Sequence, residues 1–536
     1  MSIGTSRTTL NHSSDSSRFV QDDPDLRGEL RVGPRAACTP IVSSHSGRSP
    51  NQLLANDVRV DAQRKLLYKS NHIQQEATSP LFELFGFLIH VDERAGVIPG
   101  QIPNQSTNPL FNHFKSCHPA ILPFCNFCYA GSMASYLDSV PLSGIIRIRD
   151  MMYSVANPFR LDQGDVSFDS PDSVKKAMVQ AIADNHTHYL QTAGVPRLRE
   201  LIAAKLRDKN RIPVEDTEDV LVTHGGIHGL YLICRALLEP GDEVIIPDPE
   251  WPPAAGNILA ARGVPVGCPL HEATGWRYDL DELASKITDR TRVIYLNSPQ
   301  NPTGGVLTRA DLERIAEMAR ERNLWVISDE AYEDVVFDGE HVSIASLPEM
   351  YERTIPLYTF SKSYAMTGLR LGYVAIRDAV IRDRAKKLLF YTASNVASVV
   401  QFGGIGALEG PQDCIETFRH ELRARRDLFY RGIHDAAGGT FSGQPPAGAF
   451  YAFLRINPAA RKTTGSASWE MVEHLIKHGR VGCVPGVDFG PAGEGYIRFC
   501  FARDRNELTG AMASMKRLFG DGVVESREVA SRLESR

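Results

Sequence analysis

The sequence predicts an α/β protein in which a large domain with a mostly parallel β-sheet, covered by helices, is joined to a smaller α/β domain. From about residue 133 onward, apolar runs rich in Val and Ile alternate with stretches of helical periodicity, and Gly and Pro separate them. Strands that alternate with helices and are apolar on both faces are typical of a parallel sheet covered on both sides. Several of these strands end in polar residues, where parallel sheets bind ligands.

The elements follow in order from these patterns. The apolar runs predict strands at 219–223, 243–247, 265–268, 292–297, 324–328, 355–359 and 371–376. The helical patterns predict helices at 226–238, 254–261, 309–322, 396–408 and 413–437. In the helix at 309–322, apolar residues recur at the three- and four-residue spacing of one helix face. Two later strands, at 449–455 and 496–501, indicate the smaller domain.

The composition divides the chain into unlike parts. Residues 1–132 are rich in Ser, Asn, Pro and Arg, and they show no sustained helix or strand period. We expect them to be a disordered extension or the product of an over-long gene model. We assign 133–180 to an N-terminal segment of the small domain, 181–437 to the large domain and 438–520 to the C-terminal part of the small domain. Residues 521–536 form a charged tail.

Overall composition narrows the class of protein. The 59 Lys and Arg nearly balance the 64 Asp and Glu, and the formal charge of −5 gives no reason to expect nucleic acid as a partner. No apolar run approaches the roughly 20 residues that span a bilayer, and the N-terminus lacks the apolar core of a secretory signal. We therefore expect a cytoplasmic location and no membrane partner. The nine cysteines show no disulfide framework. Their only cluster, Cys125 and Cys128 with Cys117 upstream, lacks the second ligand pair of a zinc site, so we expect no metal.

Four motifs at predicted strand ends carry candidate chemistry. Two glycines in THGGIHGL precede a helix, and their N–H groups could bind an anion, although the motif by itself is better explained as a simple turn. Asn301 in NSPQNPTG could hydrogen-bond a ligand. Asp329 and Tyr332 in SDEAY follow the next strand and could address one ring together. In TFSKSYAMTGLRLGY, Lys362 lies among hydroxyl residues and could act as a Schiff-base nucleophile, with Arg370 as a second cation.

The order and spacing of NPTG, SDEAY, SKSYAMTGLRLGY and the arginine in YIRFCFA resemble the class I/II aminotransferases of fold type I, the aspartate aminotransferase-like enzymes that use pyridoxal 5′-phosphate. The resemblance covers about residues 133–515 and does not extend to 1–132. It implies a fold type I large domain and small domain. It also implies transfer of the amino group of an L-amino acid to a 2-oxo acid by a ping-pong aldimine and ketimine mechanism.

The resemblance assigns roles to matching positions. It implies that Lys362 forms the internal aldimine and then moves the proton between Cα and C4′. Asp329 is expected to pair with the pyridine nitrogen and keep it protonated, which makes the ring an electron sink. Tyr332 and Asn301 are expected to hydrogen-bond the phenolic oxygen of the ring. Trp251, in PDPEWPP, is expected to stack on the ring face.

The resemblance also implies how the two anionic ends are held. For the phosphate, it implies the side chains of Arg370, Thr359 and Ser361 and the backbone of Gly225, Gly226 and Ile227. Tyr189, in HYLQTAGVPRLRE, matches a tyrosine that reaches the phosphate of the partner subunit, which implies a homodimer. For the substrate, it implies that Arg498 clamps the α-carboxylate, with the backbone of Gly164 opposite it and Asn301 beside it.

Some alternatives stay open at this stage. The same scaffold supports a lyase reaction such as C–S β-elimination, and the shared residues do not separate the two. A DNA-binding fusion is conceivable, but no tri-helical pattern with a basic recognition helix is visible in residues 1–132. A catalytically inactive relative is a further alternative, but every residue named above for chemistry is present in this sequence. No second arginine for a dicarboxylate side chain is evident. Arg160, Arg197 and His228 are candidates only because they lie near the motifs, and we expect a surface role for each. Aspartate, aromatic and neutral amino acids all remain open as donors.

Overall fold

The computed structural model describes residues 135–437, 439–460 and 466–520. The predictions for residues 1–132 and for the tail at 521–536 concern residues outside these ranges. Within them, two β-sheets of unequal size are surrounded by helices. The fold class predicted from the sequence is confirmed.

The larger sheet has seven strands. In chain order they are β1 (Val220–Thr223), β2 (Glu243–Asp248), β3 (Val264–Pro269), β4 (Thr291–Asn297), β5 (Trp325–Asp329), β6 (Thr354–Thr359) and β7 (Gly372–Ala375). Their order across the sheet is β1-β7-β6-β5-β4-β2-β3, and β7 is antiparallel to both of its neighbours. Strands β3, β2, β4, β5 and β6 pair in parallel. Because β1 and β6 both oppose β7, their carboxyl ends lie at the same edge of the sheet.

Strand register aligns the residues that follow these strands. Asn297 at the end of β4 pairs with Asp329 at the end of β5, and Thr223 and Thr359 both pair with Gly372. Apolar side chains leave the strands on alternate sides: Val244 and Ile246 pack into one cluster, and Ile245 packs into another on the opposite face. Both faces are therefore buried, and polar groups are concentrated at the edge.

Helices cover the larger sheet and continue the chain beyond it. They are Gly144–Tyr153, Asp172–Ala183, Pro196–Asp208, Gly225–Leu237, Pro252–Ala260, Leu280–Ser285, Arg309–Glu321, Phe360–Ser363, Ala379–Ala393, Ser398–Glu409, Asp413–Ala436, Ala467–Gly479 and Arg505–Gly520. None of the helices in the described ranges has the length and apolar character needed to cross a membrane.

The smaller sheet is antiparallel. Its strands are β8 (Phe441–Ser442), β9 (Tyr451–Ile456), β10 (Val484–Pro485) and β11 (Tyr496–Cys500), in the order β10-β11-β9-β8. Ile148 and Met152 of the helix Gly144–Tyr153 join the apolar cluster of this sheet. That packing supports the proposal that residues 133–180 belong with residues 438–520.

Most predicted elements lie within two or three residues of their observed bounds. Several helices were not predicted, among them Pro196–Asp208, Ala379–Ala393 and Ala467–Gly479. In Ala379–Ala393, charged residues interrupt the apolar pattern, and only Ile381, Ala385 and Leu389 are buried. Strand β7 was predicted as a strand, but its antiparallel direction has no local signal. The chain therefore specifies its elements locally, whereas the pairing direction depends on the whole sheet.

Candidate active site

A cavity of about 290 Å³ lies at the carboxyl edge of the larger sheet. Its walls come from the ends of the parallel strands, from the strands of the smaller sheet and from the first described α-helix. Among the residues that line it are Ile145, Gly164, Gly226, Ile227, Trp251, Asn297, Asn301, Asp329, Tyr332, Thr359, Ser361, Lys362, Arg370, Tyr451 and Arg498. The motifs that the sequence singled out thus meet at one place, although they are separated by up to several hundred residues.

Lys362 projects into this cavity from the short helix that follows β6. Its Nζ donates a hydrogen bond to the carbonyl oxygen of Gly164, at 2.6 Å. Burial of the amine lowers the pKa of Lys362 to about 8, because the charged form loses hydration. A substantial fraction of this amine is therefore neutral and nucleophilic slightly above neutral pH.

Asp329 ends β5 on the floor of the cavity and is 5% exposed. Burial raises the pKa of Asp329 to about 6. Two donors oppose that rise: the hydroxyl of Tyr295 lies 3.0 Å from Oδ2, and the N–H of Ala331 lies 3.1 Å from Oδ1. The carboxylate is thus held in one orientation, and a cationic partner in the cavity would be attracted to it.

One end of the cavity has the features of an anion site. The helix Gly225–Leu237 begins there, so its free N–H groups and the positive end of its dipole face the cavity. Gly225 has φ of +74°, and a Cβ on it would lie 2.6 Å from Nη2 of Arg370. The hydroxyls of Thr359 and Ser361 are hydrogen-bonded to each other at 2.8 Å beside this turn. The positive φ favours glycine here, and a side chain would displace the guanidinium of Arg370.

At the opposite side, Arg498 lies in the middle of β11 and is 2% exposed. Its Nη1 donates to Oδ1 of Asn301 at 3.0 Å, and its Nη2 donates to the carbonyl of Asp162 at 2.7 Å. The guanidinium lies 4.5 Å from the ring of Tyr451 and 4.9 Å from that of Phe489. Its Nε has no hydrogen-bond partner among the described residues. This orientation leaves a fixed cation with spare donor capacity in the cavity.

The remaining predicted residues are divided between the cavity and the surface. Trp251, the backbone of Gly164 and Tyr332 line the cavity, and the hydroxyl of Tyr332 lies 2.8 Å from that of Tyr451. A Cβ on Gly164 would collide with the Tyr451 hydroxyl. Tyr189 does not line the cavity and is 88% exposed. Within one subunit, the structure therefore brings together all the predicted site residues except Tyr189.

The candidates for a second carboxylate-binding residue do not reach the cavity. Arg160 pairs with Asp162 at 2.9 Å, and Arg197 pairs with Glu200 and Glu409 on the surface. His228 contacts the hydroxyl of Thr392 at 3.0 Å. Across the described ranges, no three His, Cys, Asp or Glu side chains come together as metal ligands would.

Four residues that line or support the cavity were missed from the sequence. Tyr451 and Ile145 lie in segments that carry no chemical pattern. Tyr295 could have been noticed, because it lies two residues before the end of a strand that leads into the site. Behind Asp329, the buried Glu250 accepts a hydrogen bond from Asn297 at 2.7 Å and supports the NSPQNPTG loop.

The fold and the cavity define a class of α/β protein in which a buried lysine, a buried carboxylate and an anion site share one cavity. Residues 156–515 match the model of the family described as aminotransferase class I and II. The chain therefore belongs to that family of pyridoxal-phosphate-dependent aminotransferases, and the resemblance read from the motifs is confirmed.

Relatives that align with most of this chain are named as aminotransferases. The aspartate aminotransferase of Pyrococcus abyssi is 37% identical over 390 residues, which are 72% of this chain and 98% of the relative. The aromatic-amino-acid aminotransferase 2 of Thermococcus litoralis is 35% identical over 390 residues, with the same two coverages. The structure of Thermus thermophilus aspartate aminotransferase with maleate is 30% identical, covers 72% of this chain and 99% of its own, and superposes with a TM-score of 0.67. These relatives favour amino-group transfer over elimination.

Proposed function

We propose that this protein binds pyridoxal 5′-phosphate at Lys362 and transfers the amino group of an L-amino acid to a 2-oxo acid in a ping-pong reaction. The observation that carries the proposal is the position of the Lys362 amine, with its lowered pKa, in one cavity with Asp329 and the anion site at Gly225. The relatives named above disagree about the amino acid, so they support the reaction class and not a particular donor.

The chemistry of the cavity fits this cofactor. The turn at Gly225, with Arg370, Ser361 and Thr359, suits a phosphate group. Asp329 is an acceptor for a protonated ring nitrogen, and Trp251 offers a ring face for stacking. Tyr332 and Asn301 offer polar groups for the phenolic oxygen. When bound, the cofactor supplies an electron sink for the negative charge that develops at the substrate Cα.

The residues of the chain then have distinct tasks. Lys362 Nζ is buried and has a lowered pKa, so it is suited to accept the proton from the substrate Cα and to return it at the acceptor carbon. Asp329 keeps a proton on the ring nitrogen by stabilising the positive charge there. Arg498 would bind the α-carboxylate through the guanidinium N–H groups that Asn301 and Asp162 leave free, and this would orient the bonds at the substrate Cα. The carbonyl of Gly164 holds the amine of Lys362 in place.

We also propose a homodimer. Tyr189 is almost fully exposed beside Ala393 and Asn395, at the end of the helix that packs on Gly225–Leu237. An aromatic hydroxyl in that position is available to a second copy, as the family resemblance implies. A Tyr189→Phe variant that lowers cofactor affinity in the dimer would support this role. The cytoplasmic location stays a prediction.

The test begins with purified protein and added pyridoxal 5′-phosphate. Borohydride reduction followed by peptide mass spectrometry should locate the cofactor on Lys362. Single amino acids should change the absorbance of the bound cofactor, and a 2-oxo acid should restore it. The Lys362→Ala variant should lose more than about a hundred-fold in turnover, whereas Lys176→Ala, on an exposed helix face, should not. Turnover that needs no 2-oxo acid and releases ammonia would contradict the proposal.

A further inference from the structure

The loop that carries Arg370 has a conformation that its own residues do not favour. Ala365 and Arg370 have φ of +51° and +56°, a region that residues with a side chain rarely adopt. Such conformations persist only where the surrounding structure holds them. One contact from outside reaches the start of the loop, where the hydroxyl of Ser170 donates to the carbonyl oxygen of Ala365 at 2.7 Å.

A second contact reaches the middle of this loop, at Thr367. The hydroxyl of Thr367 donates to Oδ1 of Asp165 at 2.8 Å. The carbonyl oxygen of Thr367 accepts a hydrogen bond from Nη1 of Arg370, also at 2.8 Å. The other terminal nitrogen of that guanidinium lies beside Gly225, at the anion site. Thr367 thus links the Asp165 carboxylate to the orientation of Arg370.

The backbone of Asp165 has different neighbours from its side chain. The carbonyl of Gly164, which accepts a hydrogen bond from Lys362 Nζ at 2.6 Å, belongs to the planar peptide bond that ends at the nitrogen of Asp165. On the other side, Sγ of Cys500, the last residue of β11, lies 3.8 Å from the carbonyl oxygen of Asp165. Asp165 therefore joins the segment that holds the amine to the loop that holds the arginine of the anion site.

We propose that Asp165 is a positioning residue that fastens the segment holding the Lys362 amine to the loop that carries Arg370, and so keeps the amine and the anion site at a fixed separation. The inference rests on the proposed function, in which one cofactor must reach both groups. The distance between the reactive carbon and the phosphate of that cofactor varies little. An amine and an anion site that moved independently would therefore meet it in the productive geometry only part of the time. Neither Asp165 nor Thr367 lines the described cavity, so each acts through other groups.

The carboxylate of Asp165 also acts on the amine by its charge. Burial lowers the pKa of Lys362, and the negative charge of Asp165 is the strongest influence that raises it. The other charged or titratable groups that face the amine include Cys500, Arg498, Arg370, Asp329 and Tyr332. Removal of the Asp165 charge should therefore lower the pKa of the amine further, whereas loss of the Thr367 hydroxyl alone should not.

Calorimetric titration of the full chain, freed of cofactor, with inorganic phosphate tests the fastening. Thr367→Val removes the hydroxyl that donates to Asp165 but keeps the carbonyl that orients Arg370, and phosphate should bind about five-fold more weakly. Thr367→Ser keeps a hydroxyl and should restore the affinity. Thr417→Val is the matched control, because the Thr417 hydroxyl binds the carbonyl of Asp413 on an exposed helix face. Unchanged phosphate affinity in Thr367→Val would overturn the proposal.

The reactivity of Lys362 distinguishes this role from general support of the fold. Asp165→Asn keeps an oxygen that can accept from Thr367 but removes the charge. Acetylation of the amine with acetic anhydride over a series of pH values, followed by peptide mass spectrometry, should give a midpoint about one pH unit lower in Asp165→Asn than in the wild type or Thr367→Val. A midpoint that is the same in all three proteins, or that moves equally in both variants, would show that the carboxylate does not act on the amine and would overturn the proposal.

Cofactor binding separates this inference from the proposed function. Thr367→Val should weaken the binding of pyridoxal 5′-phosphate but not that of pyridoxal, which lacks the phosphate. If the wild type binds no pyridoxal 5′-phosphate, the proposed function is wrong, and the phosphate and acetylation results still decide the role of Asp165. If the wild type carries the cofactor on Lys362 and Thr367→Val binds it equally well, the inference is wrong and the proposed function stands.

Discussion

The hydroxyl groups of Tyr332 and Tyr451 are 2.8 Å apart, and this hydrogen bond links the carboxyl edge of the larger sheet to the first residue of β9 in the smaller one. Both side chains are buried and their rings pack edge to face. Because Tyr451 also contacts Gly164 and lies over Arg498, one residue of the smaller sheet contacts three groups of the candidate site.

Removing the Tyr451 hydroxyl should therefore disturb the site more than the fold. We expect Tyr451→Phe to lower kcat/KM by about ten-fold, because the Tyr332 hydroxyl would lose the hydrogen bond that fixes its position in the site. The matched control is Tyr351→Phe, whose buried hydroxyl donates to Asp219 at 3.0 Å, away from the cavity. Steady-state kinetics should show a loss only in the first variant. Equal losses in both would mean that Tyr451 acts through stability alone.

The anion site can be blocked with one methyl group. Gly225→Ala should weaken pyridoxal 5′-phosphate binding by at least about a hundred-fold, because the new Cβ would meet the Arg370 guanidinium at 2.6 Å and would also strain a backbone with positive φ. Gly241→Ala separates the two effects, since Gly241 has φ of +92° but no atom within 4 Å of its Cβ position. Fluorescence titration with the cofactor should show normal affinity in that control. Similar losses in both variants would argue against a blocked site.

Burial of Lys362 should cost stability in the cofactor-free protein. The pKa in the folded state is about 8, below the ordinary 10.5, so the unfolded chain binds more protons between these values. The contribution of Lys362 therefore becomes less unfavourable as pH rises from 8 to 10.5, by about 1.4 kcal/mol per pH unit. We expect Lys362→Met to have a higher Tm than the wild type at pH 7, with the difference shrinking towards pH 10. A constant difference would show that the amine is not desolvated.

The protonation state of the Asp329 carboxylate should control cofactor affinity at acid pH. Its pKa of about 6 in the free protein predicts that affinity for pyridoxal 5′-phosphate falls below pH 6, as the carboxylate becomes protonated. Tyr295→Phe removes a donor to Oδ2 of Asp329. The pH at which cofactor affinity falls should therefore rise by about one unit. Tyr278→Phe is the control, because its hydroxyl binds the backbone carbonyl of Tyr295 and not the carboxylate. If the pH at which affinity falls rises equally in both variants, the Tyr295 hydroxyl has no direct role.

Much of the larger sheet could be predicted because its strands are short apolar runs with polar residues at one end. The predicted strand at 292–297 and the observed β4 (Thr291–Asn297) differ by one residue. The chemical residues were also predictable, since Lys362, Asp329 and Asn301 occur in motifs whose order is specific. By contrast, the helix Ala379–Ala393 was missed, because most of its residues are not buried and its apolar periodicity is weak.

The sequence by itself determined the fold class, the family and the reactive groups, because strand and helix periods are local and the motifs place particular residue types at strand ends. Only the tertiary structure decided which residues complete the cavity. Tyr451 and Ile145 reach it from the smaller sheet and the first described helix, and Tyr295 reaches Asp329 from the neighbouring strand. Such contacts depend on how strands pair and sheets pack over hundreds of residues, and packing of this kind leaves no periodic signal in the chain.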